Sequence, residues 1–122
     1  MWSNCLFMAL GGGLGAVGRY LLSLIAAPWS FPVMTLLTNF LGAVVIGAVA
    51  QAAGQLPMSK SAVLFLKTGL CGGFTTFSTF SLETVELLEQ GRWAAGGGYI
   101  LASVGLCLAG VLLGRALVWK IL

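Results

Sequence analysis

The sequence contains no histidine, and its only carboxylate side chains are three glutamates. Histidine is the usual general base of hydrolytic sites and a common metal ligand, so Ser/His/Asp and Cys/His arrangements are excluded. The three cysteines, Cys5, Cys71 and Cys107, are far apart and lack the CxxC spacing of zinc or redox motifs, which leaves them as reduced packing residues. We therefore expect a protein that is not an enzyme.

Charge is scarce as well, since only 7% of the residues are charged, against about 25% in an ordinary soluble domain. The six Lys and Arg residues stand singly between Arg19 and Lys120. Nucleic-acid-binding proteins cluster theirs on one face, so no nucleic-acid partner is expected. By contrast 59% of the residues are hydrophobic and the mean hydropathy is +1.04, too apolar for the core of a 122-residue soluble protein. The chain is predicted to be an integral membrane protein.

Four apolar stretches have the roughly 20 residues that a helix needs to cross a bilayer. We predict an all-α integral membrane protein with one transmembrane domain over residues 1–122, and with spans at about 4–27, 33–53, 61–82 and 93–119. Pairs of small residues four apart predict close helix contacts: Gly11 with Gly15 in the first span, and Gly98 with Ala102 and Gly110 with Gly114 in the fourth.

The stretch Gly69–Ser81, which reads GLCGGFTTFSTFS, is unusual inside a predicted span. Glycine weakens a helix interior, and Ser and Thr hydroxyls compete for the backbone hydrogen bonds. Irregular backbone at membrane depth is tolerated only where it is buried in protein or lines a wet cavity. We therefore predict a break in the third helix near residues 71–79, and a functional site there.

Two further groups of polar residues lie within the spans. Thr35 and Asn39 are four residues apart and share one helix face, and Tyr99, Ser103 and Cys107 form a stripe at i, i+4 and i+8 on the fourth span. A carboxamide or hydroxyl inside a bilayer must find a partner. Two roles are open for these residues: polar contacts between helices, or the wall of a wet path.

The charged residues near the span ends also allow two roles each. Arg19 is either an interfacial anchor beside Tyr20 or a group that attracts anions into a vestibule. Glu83, Glu86 and Glu89 recur every three residues and predict a solvated helix face, with Glu89 paired to Arg92; Glu83 is alternatively an ionisable group at a pore mouth. Lys60 and Lys120 lie on the predicted side of the termini, with Arg115 and Lys67 near it, whereas Arg92 lies on the opposite side, with Arg19 near it. This gives only a weak preference for cytoplasmic termini.

The groups left in the membrane interior are hydroxyls, one carboxamide and phenyl rings. Hydroxyl and amide groups donate hydrogen bonds, and the positive edge of a phenyl ring can face an anion. Phe77 and Phe80 are neighbours at i, i+3 on a helix, although phenylalanine at such a spacing is more often a packing residue. These groups suit a small anion that sheds its water and is held weakly enough to leave.

Three motifs resemble the signatures of the Fluc (CrcB-type) fluoride channels: GGGLGAVGRY at residues 11–20, TLLTNFLG at 35–42, and GLCGGFTTFSTFS at 69–81. The resemblance covers nearly the whole chain. It implies four membrane helices that assemble as an antiparallel, dual-topology homodimer, and it implies passive, fluoride-selective export that relieves fluoride toxicity. The implied location is the inner (plasma) membrane of a bacterium, with the chain crossing it several times and contacting lipid.

The same resemblance assigns residues to the fluoride pore. It implies that Asn39, Phe77 and Phe80 line the ion path, with Thr35 on the face of Asn39. Tyr99 and Ser103 match a polar track on the fourth helix. Ser78 and Thr79 are further hydroxyl contributors, and Arg19 is a weaker vestibule candidate. Cys107 stands where this track usually continues with serine.

A structural sodium ion is also implied, held at the centre of the dimer by the backbone carbonyls of Gly72 and Thr75 from both subunits. A broken helix exposes unpaired carbonyls, which are natural cation sites. Two other kinds of protein stay open as alternatives. One is a small structural or assembly subunit of a membrane complex, and the other is an exporter of the small multidrug type, against which the lack of a mid-membrane carboxylate argues.

Overall fold

A computed structural model describes residues 1–25 and 30–122, and this part of the chain is built from helices alone. The helices are α1 (Trp2–Ser23), α2 (Val33–Gln55), α3, α4 (Phe77–Glu89) and α5 (Trp93–Ile121). Helix α3 covers residues 60–74 as three consecutive segments: an α-helical turn Lys60–Val63, a π-helix Leu64–Cys71 and a final turn Gly72–Phe74. The predicted end of the first span, residues 26 and 27, lies outside the described residues.

Three of the described helices, α1, α2 and α5, are long and apolar enough to cross a membrane. The stretch predicted as the third span consists of the two shorter helices α3 and α4. Pro57 follows α2 closely and prevents its continuation, since proline cannot extend a helix. Residues 1–25 and 30–122 thus have the helices of an integral membrane protein and no strands.

Glycines bring the long helices into backbone contact. Helix α1 packs on α3, and a Cβ on Gly11 or Gly15 would collide with the α3 backbone around Leu70. Helix α2 packs on α5 in the same way, through Gly47 and Gly114. The contact predicted for Gly11 and Gly15 is therefore present.

Of the two small-residue pairs predicted on the fourth span, only Gly110 and Gly114 make a helix contact within the described chain. Gly110 and Gly114 do pack on α2, against Phe40 and Val44 respectively. Gly98 faces open space, so the contact predicted for Gly98 and Ala102 is absent from the described chain. The neighbouring Gly96 packs on Leu88 instead, because α4 lies against the other side of α5.

A compact aromatic cluster fixes α4 against α5. Its buried members are Phe80, Leu87 and Tyr99, and Phe31 packs against them at the edge. The Phe31 and Tyr99 rings meet edge to face with centroids 5.4 Å apart, a favourable aromatic geometry. The outer face of α1 is by contrast an exposed apolar stripe, which is what a lipid-facing surface requires.

Candidate functional site

The chain leaves helical geometry at two residues, Thr75 and Thr76, between α3 and α4. Both have extended backbone conformations, with φ −83° and ψ 158° for Thr75 and φ −150° and ψ 114° for Thr76. Thr75 closes α3, because its N–H and its hydroxyl both donate to the carbonyl of Cys71, at 3.0 and 2.8 Å. Thr76 opens α4, because its Oγ1 accepts from the Thr79 N–H at 3.1 Å, as an N-cap residue does.

The side-chain amide of Asn39 bridges the interruption. Its Nδ2 donates to the Thr76 carbonyl at 3.1 Å, and its Oδ1 accepts from the Thr76 N–H at 2.8 Å. An amide carries two N–H donors, so Asn39 keeps one free to bind a ligand. The position of Asn39 is thus compatible with both roles that the sequence left open, a polar contact between helices and the wall of a wet path.

Arg19 binds the end of α3. Its Nε donates to the Gly73 carbonyl at 3.3 Å, and the side chain is half-buried. A cation is favourable there, because the carbonyls at a helix C-terminus carry partial negative charge. The position differs from that of a simple interfacial anchor, since the guanidinium points back to the interrupted helix.

Arg19 also lines a small polar cavity of about 280 Å³. Most of the other lining side chains carry hydroxyls: Tyr20, Ser23, Thr35, Thr38, Thr76 and Thr79. One cation among so many hydroxyl donors makes a cavity suited to water and small anions.

A larger and mainly apolar groove of about 730 Å³ lies open on the surface of the single chain. The predicted site residues on its wall are Asn39, Gly72, Thr75, Phe77, Phe80 and Ser103, and they are joined there by Lys67, Thr76 and Cys107. Thr76 lines both the groove and the small polar cavity. The interrupted helix is therefore the shared wall of the two spaces.

The two phenylalanines differ in environment. Phe77 is 79% exposed on the groove, whereas Phe80 is 9% exposed and packs on Tyr99 with ring centroids 5.0 Å apart. Phe77 and Phe80 themselves are tilted neighbours, with centroids at 5.4 Å. Packing within the chain explains Phe80, but Phe77 lacks comparable cover in the described residues.

The stripe on α5 is divided between two environments. Tyr99 is fully buried, is absent from the walls of both cavities, and donates its hydroxyl to Glu83 Oε1 at 3.2 Å. Ser103 is only 7% exposed, and its Oγ has no hydrogen-bond partner within the described chain. A buried hydroxyl without a partner is costly, so Ser103 marks the place where a ligand can supply the missing bond.

The glutamates of α4 are not simply the solvated helix face that their spacing predicts. Glu83 is half-buried and accepts from Tyr99, so it is not merely one residue of a solvated face. The predicted pairing of Glu89 with Arg92 is wrong, because Arg92 Nη1 instead donates to the Ser30 carbonyl at 3.1 Å. The backbone turns at Gly91, with φ 76°, between the two helices and places Arg92 directly before α5, off the α4 helix.

Sequence reasoning missed Thr76, which holds Asn39, caps α4 and lines both cavities. A threonine directly before a helical run is a typical N-cap, and this signal was available in the sequence. Ser78 contributes to the same cluster, since its hydroxyl lies 3.3 Å from that of Thr76, but it lines neither cavity.

The two residues predicted to hold sodium through their carbonyl oxygens lie on the wall of the groove. Gly72 and Thr75 both line it, and a Cβ on Gly72 would meet open space. Within the described chain, neither carbonyl oxygen accepts a hydrogen bond from outside its helix. Hard cations prefer oxygen ligands, so these two groups fit a sodium ion.

Fold and site together define a small helical membrane protein in which an interrupted helix lines both a hydroxyl-rich cavity and a mainly apolar groove. The family model described as CrcB-like protein, camphor resistance (CrcB), matches residues 6–115. The chain belongs to this family, as the motifs predicted.

Relatives with high coverage carry one functional name. The chain is 48% identical over 115 residues to a protein of Roseiflexus sp., covering 91% of this chain and 93% of the relative. It is 46% identical over 122 residues to one of Shewanella frigidimarina, covering 97% and 98%, and 44% identical over 118 residues to one of Ruminiclostridium cellulolyticum, covering 93% and 91%. Each of these relatives is named a fluoride-specific ion channel, FluC.

Proposed function

We propose that this protein is a fluoride-selective channel that exports fluoride passively across the inner (plasma) membrane of a bacterium. The family is one of ion channels rather than enzymes, and the relatives compared above carry the fluoride-channel name. The observation that carries the proposal is Ser103, a buried hydroxyl without a partner on the wall of the groove. Fluoride is a compact anion and a strong hydrogen-bond acceptor, and it supplies the bond that this hydroxyl lacks.

The proposed path runs from the small polar cavity past Thr76 into the groove. Arg19 raises the anion concentration in the cavity, where the hydroxyls of Thr35 and Thr79 replace part of the water shell of the ion. Along the groove the ion meets the free amide N–H of Asn39, the ring edges of Phe77 and Phe80, and then Ser103. Each contact is weak, which allows the ion to leave again. The resemblance places Tyr99 in the polar track; here it packs against the Phe80 ring and holds that ring in position.

The proposed assembly is an antiparallel, dual-topology homodimer, with a second copy of the chain covering the groove. The exposure of Phe77 and the mainly apolar wall support it, because lipid alone would leave Ser103 and Asn39 facing hydrocarbon. The weak charge bias, with four Lys and Arg residues on or near one membrane side and two on or near the other, agrees with insertion in both orientations.

The assembly can be tested by labelling from one side. In a C5A/C71A/C107A background, the variant Gln55→Cys places one thiol at the exposed end of α2. An impermeant maleimide added to cells or oriented vesicles should label about half of the sites from each side. Labelling from one side only would contradict dual topology.

A structural sodium ion is proposed at the groove, held by the carbonyl oxygens of Gly72 and Thr75 from the two copies. The unpaired carbonyl oxygens of the interruption support this, because oxygen atoms are the ligands that hard cations prefer. When bound, the ion supplies positive charge that neutralises the converging carbonyl dipoles. Its role is to hold two interrupted helices together.

The function is tested by ion efflux from liposomes that contain the purified protein. Fluoride efflux should exceed chloride efflux by a wide margin and should continue without a proton gradient. Protein-free liposomes provide the control. Absence of fluoride efflux would favour the structural subunit, and efflux that requires a proton gradient would favour an exporter.

A further inference from the structure

Lys67 is the only charged side chain on the wall of the groove in the described chain. It lies in the π-helical segment of α3 and is exposed. None of the three glutamates forms an ion pair with it, and the one nearest to the aromatic cluster, Glu83, is bonded to Tyr99. A lysine within a membrane segment is costly unless a wet cavity or an opposite charge accompanies it.

Ser103, on the same wall of the groove, also lacks a partner that an anion could provide. Ser103 Oγ is buried and has no partner among the described residues. The groove therefore carries an unpaired cation and an unpaired hydrogen-bond donor. A small anion satisfies both groups, whereas a cation leaves the charge of Lys67 unpaired and an apolar ligand satisfies neither group.

We propose that Lys67 sets the fluoride occupancy of the path, as a positive charge beside it rather than a ligand within it. The inference rests on the proposed channel function and adds a residue that determines affinity. A flexible lysine in contact with water acts at a distance: it raises the local anion concentration without holding the ion in a tight bidentate contact. That arrangement increases entry at low fluoride and leaves release fast.

The alternative is that Lys67 faces lipid and extends its side chain to the membrane interface. Lysine side chains near a helix end extend along apolar surface to the interface, and Lys67 lies about two turns from the start of α3 at Lys60. In that case its charge would lie outside the path, and its removal would leave the fluoride dependence of the flux unchanged.

The test measures fluoride efflux at a series of internal fluoride concentrations for the wild type and for Lys67→Gln, Lys67→Arg and Lys60→Gln. Lys60→Gln is the matched control, because Lys60 is an exposed lysine of the same helix that does not line the groove. Lys67→Gln should raise the half-saturating fluoride concentration about tenfold with little loss of the maximal rate, as expected for removal of a focusing charge. Lys67→Arg should restore the wild-type value, and Lys60→Gln should retain it.

Three outcomes overturn the inference. They are a wild-type concentration dependence in Lys67→Gln, a loss that Lys67→Arg fails to restore, and a loss of dimer in cross-linking with an unchanged rate per remaining dimer. The last outcome would make Lys67 an interface residue. A wild-type protein without fluoride flux would instead contradict the channel function itself, so the two failures are distinguishable.

Discussion

Asn39 and Thr76 are 37 positions apart in the chain, yet the carboxamide of Asn39 pairs with both the N–H and the carbonyl of Thr76. One side chain thus replaces the two backbone hydrogen bonds that the helix loses at this residue. Without that replacement, two polar groups would be left unpaired in a membrane, where neither lipid nor distant water can satisfy them. The interruption between α3 and α4 is therefore stabilised by a side chain of α2.

Replacing Asn39 by Ala should weaken the protein and nearly abolish fluoride flux. It leaves the N–H and carbonyl of Thr76 unpaired, at a cost of about 1–3 kcal/mol for each group. Thermal unfolding in detergent measures the stability, and liposome efflux measures the flux. Asn4→Ala is the control, because Asn4 loses only one side-chain bond, with Ser61 at the far end of the helix pair. Equal effects of the two variants would contradict the role given to Asn39.

Replacing Ser103 by Ala should separate stability from flux. The variant removes a buried hydroxyl that has no partner, so the free energy of unfolding should stay the same or rise. Fluoride flux should fall by about 10- to 100-fold, which corresponds to the loss of a hydrogen bond of 1.5–3 kcal/mol to an ion. Ser81→Ala is a suitable control, since Ser81 bonds the Phe77 carbonyl outside both cavities. Wild-type flux in Ser103→Ala would remove this residue from the path.

The two phenylalanines should respond differently to isoleucine. Phe77→Ile should reduce fluoride flux while changing the stability of the single chain by no more than about 0.5 kcal/mol, because the ring is exposed there. Phe80→Ile should reduce flux and also lower stability, because the Phe80 ring packs on Tyr99. Phe7→Ile, at an exposed position on α1, controls for the substitution itself. Unchanged flux in Phe80→Ile with an intact dimer would contradict its place in the pore.

Removal of sodium should destabilise the dimer. An ion that binds only the assembled state at a hundred times its Kd contributes about 2.7 kcal/mol. The midpoint of thermal unfolding should therefore fall when N-methylglucamine replaces sodium, and fluoride flux should fall with it. The same midpoint and flux in both buffers would exclude the proposed site at Gly72 and Thr75.

The position of the helix interruption at Thr75 and Thr76 could be predicted from local composition, but the contacts of the candidate site could not. Glycines and hydroxyl residues in 69–81 mark a segment that does not favour a regular helix, and this property is local. The pairing of Asn39 with Thr76 depends on how α2 packs against two other helices. No spacing within one segment contains that information.

The stripe on α5 shows the same limit. Tyr99, Ser103 and Cys107 share one face by helical spacing, so the sequence grouped them. Because α4 covers only the first turns of that face, Tyr99 is buried beneath Phe80, while Ser103 and Cys107 remain on the groove. For Glu83 the sequence leaves open a solvated helix face or a pore mouth and does not predict the bond to Tyr99, because Glu83's own helix gives no sign of that tyrosine.

The π-helical segment Leu64–Cys71 affects how substitutions before the interruption should be interpreted. Hydrogen bonds in a π-helix join residues five apart, so each turn holds more residues than an α-helical turn. A scan of this segment that assumes 3.6 residues per turn would assign positions at its two ends to the wrong face. Deleting a single residue there would restore the shorter turn and rotate the beginning of α3, with Lys60, about its axis relative to Gly72 and Thr75. The segment therefore sets the rotational register between Lys60, at the start of α3, and the proposed sodium site at Gly72 and Thr75.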